Sequence, residues 1–155
     1  MKHKELSIII PSYNEKNNLK VLLQKANKIC KKYKSIEIVI VDNGSTDGSD
    51  MYLKKNKKFF SKIKIISIDK NIGYGYGIKS GIKHSSGKII SWTHADLQFD
   101  INDVIKFFFK NKDEFNSSKI MLKGLRKNRS SIDIFFTNGM SMIVNTLFGT
   151  QIYDI

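Results

Sequence analysis

The stretch Ser91-Trp92-Thr93-His94-Ala95-Asp96-Leu97-Gln98 joins an apolar run to three side chains that can ligate a metal ion, His94, Asp96 and Gln98, spaced two apart. On an extended chain alternate residues share a face, so the three are expected to point the same way. Oxygen donors suit Mg²⁺ and Mn²⁺, while an imidazole tilts preference toward Mn²⁺ or a later transition metal. Set beside a diphosphate, such a metal would act as a Lewis acid and neutralise charge on the leaving group. Taken singly, each of these side chains could equally be structural.

Three other segments carry residues of similar interest. Asp42-Asn43-Gly44-Ser45-Thr46-Asp47-Gly48-Ser49 offers a carboxylate that can accept hydrogen bonds from the N–H groups of a nucleobase, and glycines that permit close backbone approach. A plain turn with a helix cap fits the same residues. Pro11-Ser12-Tyr13-Asn14-Glu15 also fits a simple turn, since Pro, Ser and Asn favour turns. Asn71-Ile72-Gly73-Tyr74-Gly75-Tyr76-Gly77 resembles a dinucleotide fingerprint but fails it, because the third glycine of G-x-G-x-x-G falls on Ile78. It reads either as a compact turn opening a helix or as backbone that packs against a ligand.

The elements that must position these segments alternate regularly. Leu6 to Ile10 reads as a strand, and Leu19, Leu22, Leu23, Ala26, Ile29, Cys30 and Tyr33 follow helical spacing. Ile36 to Val41 is apolar but for Glu37, which predicts a strand buried on both faces. Ser45 and Thr46 are expected to cap a helix over 47–57, followed by a strand over 63–68, a helix over 76–84 and a strand over 88–92. Helices over 101–110 and 132–148 enclose a further expected strand, 119–122. This rhythm predicts an α/β fold with a largely parallel central sheet flanked by helices, and in such sheets ligands bind at the carboxyl ends of the strands. All four polar segments directly follow strands.

Composition bounds the remainder. A length of 155 residues predicts one domain, and no apolar run approaches the roughly 20 residues of a membrane-spanning helix. The amino terminus lacks the apolar stretch of a signal peptide, so a cytoplasmic location is expected, with the cytoplasmic face of a membrane as a possible station. One cysteine, Cys30, excludes an internal disulfide and a cysteine-rich zinc site, and its helical spacing places it in the core. The net charge of +13 invites a nucleic-acid reading, but its distribution argues against one. Residues 1–35 hold nine lysines and two acids, with Lys16, Lys20, Lys25, Lys28, Lys31 and Lys32 lying between the apolar positions of one helix. Such lysines form a solvated face or meet anionic lipid headgroups, so a peripheral membrane surface is a possible partner and nucleic acid is not expected. Phe107, Phe108 and Phe109 and the apolar last helix either pack in the core or face lipid or further chain. Only Arg126 and Arg129 break the lysine habit, which suggests that guanidinium geometry matters there.

Taken in order, PSYNE, VDNGSTDGS, NIGYGYGIKSGI, THADLQ and GLR resemble the family 2 glycosyltransferases of GT-A fold, especially the dolichol-phosphate mannosyltransferase and polyprenyl-phosphate sugar transferase branch. The resemblance runs from Leu6 to the end of the chain. It implies a nucleotide-sugar-binding domain in which Pro11, Tyr13 and Glu15 line the nucleotide pocket and Asp42 contacts the base, with Ile40 close by. Asn71 and Gly73 are expected to join the donor site. The family's aspartate-x-aspartate motif reads His94-Ala95-Asp96 here, followed by Gln98. This implies a divalent metal, Mn²⁺ or Mg²⁺, on Asp96, Gln98 and His94, with Asp96 carrying catalysis. Arg126 resembles a family arginine near the acceptor or donor phosphate. The sequence departs from the family at His94, where aspartate is usual, at Asn43, often a second aspartate, and at Leu125, where serine is common. The implied reaction is transfer of a sugar, with inversion, from a GDP- or UDP-linked donor to a polyprenyl phosphate or a glycan hydroxyl, the alternative being a non-catalytic nucleotide-sugar-binding fragment. Family members usually continue past the segment matched by Phe148 to Asp154, so this chain is expected to be the amino-terminal part of a longer catalytic domain.

Overall fold

The structure is a computed structural model and describes residues 4–117 and 130–149. The chain divides into two compact units, Met1–Ser118 and Lys119–Ile155. In the first, the described elements run β1 (Lys4–Ser12), α1 (Lys16–Lys32), β2 (Ile36–Asn43), α2 (Ser49–Asn56), β3 (Lys64–Ile68), α3 (Tyr74–Lys83), β4 (Gly87–Trp92), α4 (Ile101–Lys110) and α5 (Lys112–Ser117). In the second, α6 (Ser131–Phe148) starts on Ser130, whose Oγ accepts from Asp133 N at 3.1 Å, and ends on Gly149 in the left-handed region. The expected strand 119–122 lies outside the described residues.

The sheet has the order β3-β2-β1-β4 with every pair parallel. Parallel neighbours need crossovers, so helices cover both faces and the middles of the central strands become apolar on both sides. Accordingly Ile36, Ile38, Val39, Ile40 and Val41 are all buried. Alternation sorts the core into two layers. Ile8, Ile10, Ile38 and Ile40 join Leu19, Leu22, Leu23, Ala26 and Ile29 of α1, Leu53 of α2, and Ile101, Ile105 and Phe108 of α4. Ile9, Val39 and Val41 form the other layer with Ile66, Ile68 and Ile90. Cys30 is buried in the first layer, and burial pushes its thiol pKa up.

Helix α3 covers the second face by means of glycine. A Cβ on Gly81 would lie 2.3 Å from Ile9 Cγ2 and 3.1 Å from Val41 Cγ2, and one on Gly77 would meet Pro11 Cβ at 3.2 Å. Backbone therefore rests directly on the sheet, which brings the start of α3 down to the strand ends.

The amino edge of the sheet is closed by a polar knot. Glu37 Oε2 accepts from Ser7 Oγ at 2.7 Å and Ser86 N at 2.8 Å, while Ser7 Oγ accepts from Gly87 N at 2.9 Å. Burial pushes the Glu37 pKa up, but the bonds from Ser7 and Ser86 and the nearby Lys64 outweigh it, leaving the carboxyl below its ordinary value. These bonds tie β1, β2 and the turn into β4, leaving the opposite edge for the loops.

Two outcomes are expected. Gly81→Ala should destabilise the fold by about 1–2 kcal/mol, since overpacking outweighs the gain in helix propensity. Gly75→Ala, whose Cβ meets nothing within 4 Å, should not destabilise it, and urea midpoints compare the two. Glu37→Gln should lower stability at neutral pH. A depressed folded pKa stabilises above the unfolded value and is lost as pH falls through the folded one, so the gap between wild type and variant should close on acidification.

Candidate functional site

Because all four strands run parallel, the segments after Ser12, Asn43, Ile68 and Trp92 emerge on one edge, as their positions in the sequence predicted. Hydrogen bonds lace the first two together. Asn14, held at φ 57°, donates from its backbone N to Ser45 Oγ at 3.0 Å, and its Oδ1 accepts from Thr46 N at 2.8 Å. Asp47 Oδ2 accepts from Lys16 N at 3.0 Å and its Oδ1 from Ser49 N at 2.9 Å. Burial pushes the Asp47 carboxyl up, but the bonds from Ser49 and Lys16 outweigh this and hold it below its ordinary value. The expected cap on α2 is thus replaced: its N-cap is Gly48 at φ 89°, and Ser45 and Thr46 bond Asn14 instead.

The second and third segments touch backbone to backbone. Gly44 sits at φ 72°, and a Cβ there would lie 2.5 Å from Asn71 N. Asn43, which departs from the family pattern, ties the loops together, its Nδ2 donating to Asn71 Oδ1 at 3.2 Å and to Gly73 O at 3.0 Å. Asn71 Oδ1 also accepts from Gly73 N at 2.8 Å, shaping the turn into α3. Asn71 and Gly73 are therefore brought to the rim beside β2.

Asp42 is 1% exposed, lies in register with Ser12 on β1, and accepts from Ser45 N at 3.3 Å. Among the described residues, Ser12 Oγ and Asn43 Oδ1 are buried with no hydrogen-bond partner. Orphaned polar atoms at a site rim are suited to a polar ligand or ordered water. Pro11 is buried, Tyr13 is exposed, and Glu15 is half-buried with its Oε2 accepting from Asn18 Nδ2 at 2.6 Å. Ile40 is 0% exposed within the α1-side core, so its side chain serves packing in this structure.

The fourth segment departs from the extended geometry expected of it. Strand β4 ends at Trp92; Thr93 N still donates to Ile9 O at 3.0 Å, and the chain then turns, with Leu97 at φ 64°. Alternation therefore does not govern His94, Asp96 and Gln98. Instead Asp96 Oδ1 accepts from Gln98 N at 3.0 Å. His94 lies flat on Tyr74, with ring centroids 5.1 Å apart and planes 6° apart, and tilts against Phe99 at 6.4 Å. Ala95, between His94 and Asp96 in sequence, is buried in the core. Burial, and then the charge of Asp96, raises the Tyr74 hydroxyl pKa, so the first turn of α3 feels the carboxylate after β4. Among the described residues, no group of three or more His, Cys, Asp or Glu side chains is placed to hold a metal ion. Arg126 and Arg129 lie outside the described residues.

Sequence reasoning missed Asn14 and Tyr74. Asparagine's tolerance of the left-handed region was a usable signal for the first, whereas a cross-loop stack left no trace in local sequence.

The model of a protein family described as Glycosyl transferase family 2 matches residues 7–138. An undecaprenyl-phosphate 4-deoxy-4-formamido-L-arabinose transferase of Salmonella paratyphi B is 31% identical over 146 residues, covering 93% of this chain and 43% of the relative. The chain thus spans less than half the length of the curated relatives it matches. Among solved structures, a mannosyltransferase from Pyrobaculum calidifontis in complex with GDP-Man and Mn²⁺ superposes with a TM-score of 0.56 at 20% identity, covering 68% of this chain and 31% of that one. Glucosyl-3-phosphoglycerate synthase from Mycobacterium tuberculosis, in complex with Mn²⁺, UDP and glucosyl-3-phosphoglycerate, superposes with a TM-score of 0.60 at 14% identity, covering 93% and 50%. At these identities the likeness is one of fold, the GT-A arrangement.

Asn43→Asp should destabilise the protein at pH 7 by about 1–3 kcal/mol, because a carboxylate would face two acceptor oxygens. That environment raises the folded pKa of the introduced carboxyl, so the loss should grow as pH rises from 4 to 7 in urea denaturation.

Proposed function

The chain belongs to glycosyl transferase family 2, and we propose that it forms the nucleotide-sugar-binding part of an inverting transferase that moves a sugar from a nucleoside-diphosphate donor to a polyprenyl phosphate. The observation that carries this reading is the rim itself. Four strand ends deliver a buried carboxylate, Asp42, and two orphaned polar atoms, on Ser12 and Asn43, to loops shaped by Asn71 and Gly73. A buried carboxylate is suited to the N–H groups of a nucleobase, and the open backbone at Gly73, where a Cβ would meet nothing within 4 Å, to the rest of the donor. The Salmonella relative's name supports a polyprenyl phosphate acceptor, and the nucleotides named with the structural neighbours support a GDP- or UDP-linked donor.

A lipid phosphate is already anionic at neutral pH. Its oxygen attacks the anomeric carbon as the bond to the donor diphosphate breaks, and no general base is required; a saccharide hydroxyl would need an Asp or Glu to take its proton. A divalent cation, when bound, neutralises charge on the departing diphosphate. The Mn²⁺ named with two neighbours supports such an ion. Asp96 would hold it, with Gln98 and His94 as further donors. One carboxylate is a sparse donor set, and hard cations then complete their shell with substrate phosphates and water. Metal and nucleotide should therefore bind as a linked pair.

Titration calorimetry of the chain tests this. UDP or GDP should bind at least tenfold more tightly with Mn²⁺ present, about 1.4 kcal/mol, while Mn²⁺ alone binds weakly. Asp96→Ala should remove that increment, and His94→Asp should raise Mg²⁺ affinity relative to Mn²⁺. Equal nucleotide affinity with and without metal would overturn the metal assignment, and absence of nucleotide binding would overturn the donor site itself.

A further inference from the structure

Charge is distributed unevenly over the two faces of the sheet. On the face covered by α1 and α2, residues 16–32 hold six lysines and no acid, and residues 49–62 hold five lysines and one acid. The helix on the other face, α3, carries two lysines, Lys79 and Lys83. The two basic stretches form one layer, since Leu53, Phe60 and Ile63 pack on the same core as Leu19, Leu22 and Ala26. Their apolar sides face that core, so Lys20, Lys28, Lys31 and Lys32 of α1 and Lys54, Lys55, Lys57, Lys58 and Lys62 are exposed. Among the described residues, the ion pairs reaching this layer are Lys25 to Asp100 at 3.6 Å and Lys54 to Asp50 at 3.4 Å.

Apolar side chains stand among these charges. Phe59 is 78% exposed between Lys58 and Lys62, and Met51 on α2 is 67% exposed. Lysines that meet headgroups around an aromatic ring that enters the acyl boundary are the chemistry of a peripheral membrane surface. A nucleic-acid face would draw on arginine and on base-stacking aromatics, and arginine is absent from both stretches.

We propose that the lysine layer of α1 and residues 49–62 docks the protein on an anionic lipid surface, with Phe59 as its inserted side chain. The placement of charge carries this inference independently of the sugar-transfer reading. The layer also reaches the rim: α1 begins at Lys16, whose backbone N bonds Asp47 in the loop after β2, so a lipid bilayer against this face lies alongside the strand ends.

The test is sedimentation of the 155-residue chain with vesicles of phosphatidylglycerol and phosphatidylcholine against vesicles of phosphatidylcholine alone. Binding should require the anionic lipid and weaken with salt. Lys28→Gln/Lys31→Gln should lower the partition coefficient roughly fivefold per lysine, whereas Lys79→Gln/Lys83→Gln, which removes equal charge from the other face, should leave it nearly unchanged. Phe59→Ser should abolish whatever binding survives at high salt. Equal losses from the two lysine pairs, equal binding to neutral vesicles, or affinity for mixed-sequence duplex DNA matching that for anionic vesicles would each overturn the proposal. Nucleotide binding by the same variants, unchanged in every case, keeps failure of this surface distinct from failure of the donor site.

Discussion

Strand β1 is hydrogen-bonded along both edges by parallel partners, β2 and β4. Parallel pairing forbids hairpins, so each return must cross the sheet, and every strand then delivers its carboxyl end to the same edge. The amino edge can be dedicated to holding the strands together through Glu37, Ser7 and Ser86, and the carboxyl edge to loops. Burying the central strands on two sides needs helices above and below, which accounts for the apolar runs in β1 and β2 and for the two-layered core.

The two faces solve the covering problem differently. On one, α1 interposes leucine, isoleucine and alanine between itself and the sheet. On the other, α3 lays Gly77 and Gly81 against Pro11, Ile9 and Val41. Close approach pulls the amino-terminal end of α3 inward, so that Tyr74 reaches the segment after β4 and Gly73 reaches Asn43. Rim geometry on this side is therefore set several residues away, by the absence of side chains on a helix.

Much of this was legible from residue order. Strand and helix positions followed from apolar patterning, since α1 has helical spacing and β2 a short run of β-branched residues, and the shared edge followed from the βα rhythm. The local chemistry of the loops was not. Period-2 reasoning at His94, Asp96 and Gln98 lost its premise, because the strand stops at Trp92 and Leu97 adopts a left-handed backbone. Ser45 and Thr46 were expected to cap α2, but Asn14, 31 residues away from Ser45, takes both partners, and no local pattern could reveal a long-range competitor. Asn43 reads as a lost carboxylate in the sequence and as a donor to two acceptors in the structure. The arginine pair lies outside the described residues.

The flat contact between His94 and Tyr74 constrains more than position. An imidazole offers its lone pair in the plane of the ring, and here that plane runs nearly parallel to the phenol stacked against it. A histidine without such a partner swings its nitrogen through a wide cone, whereas stacking on Tyr74 favours one setting of the ring. A ligand taken by the His94 ring nitrogen would arrive edge-on, parallel to the tyrosine face, so the aromatic partner would set a direction for a ligand it need not touch.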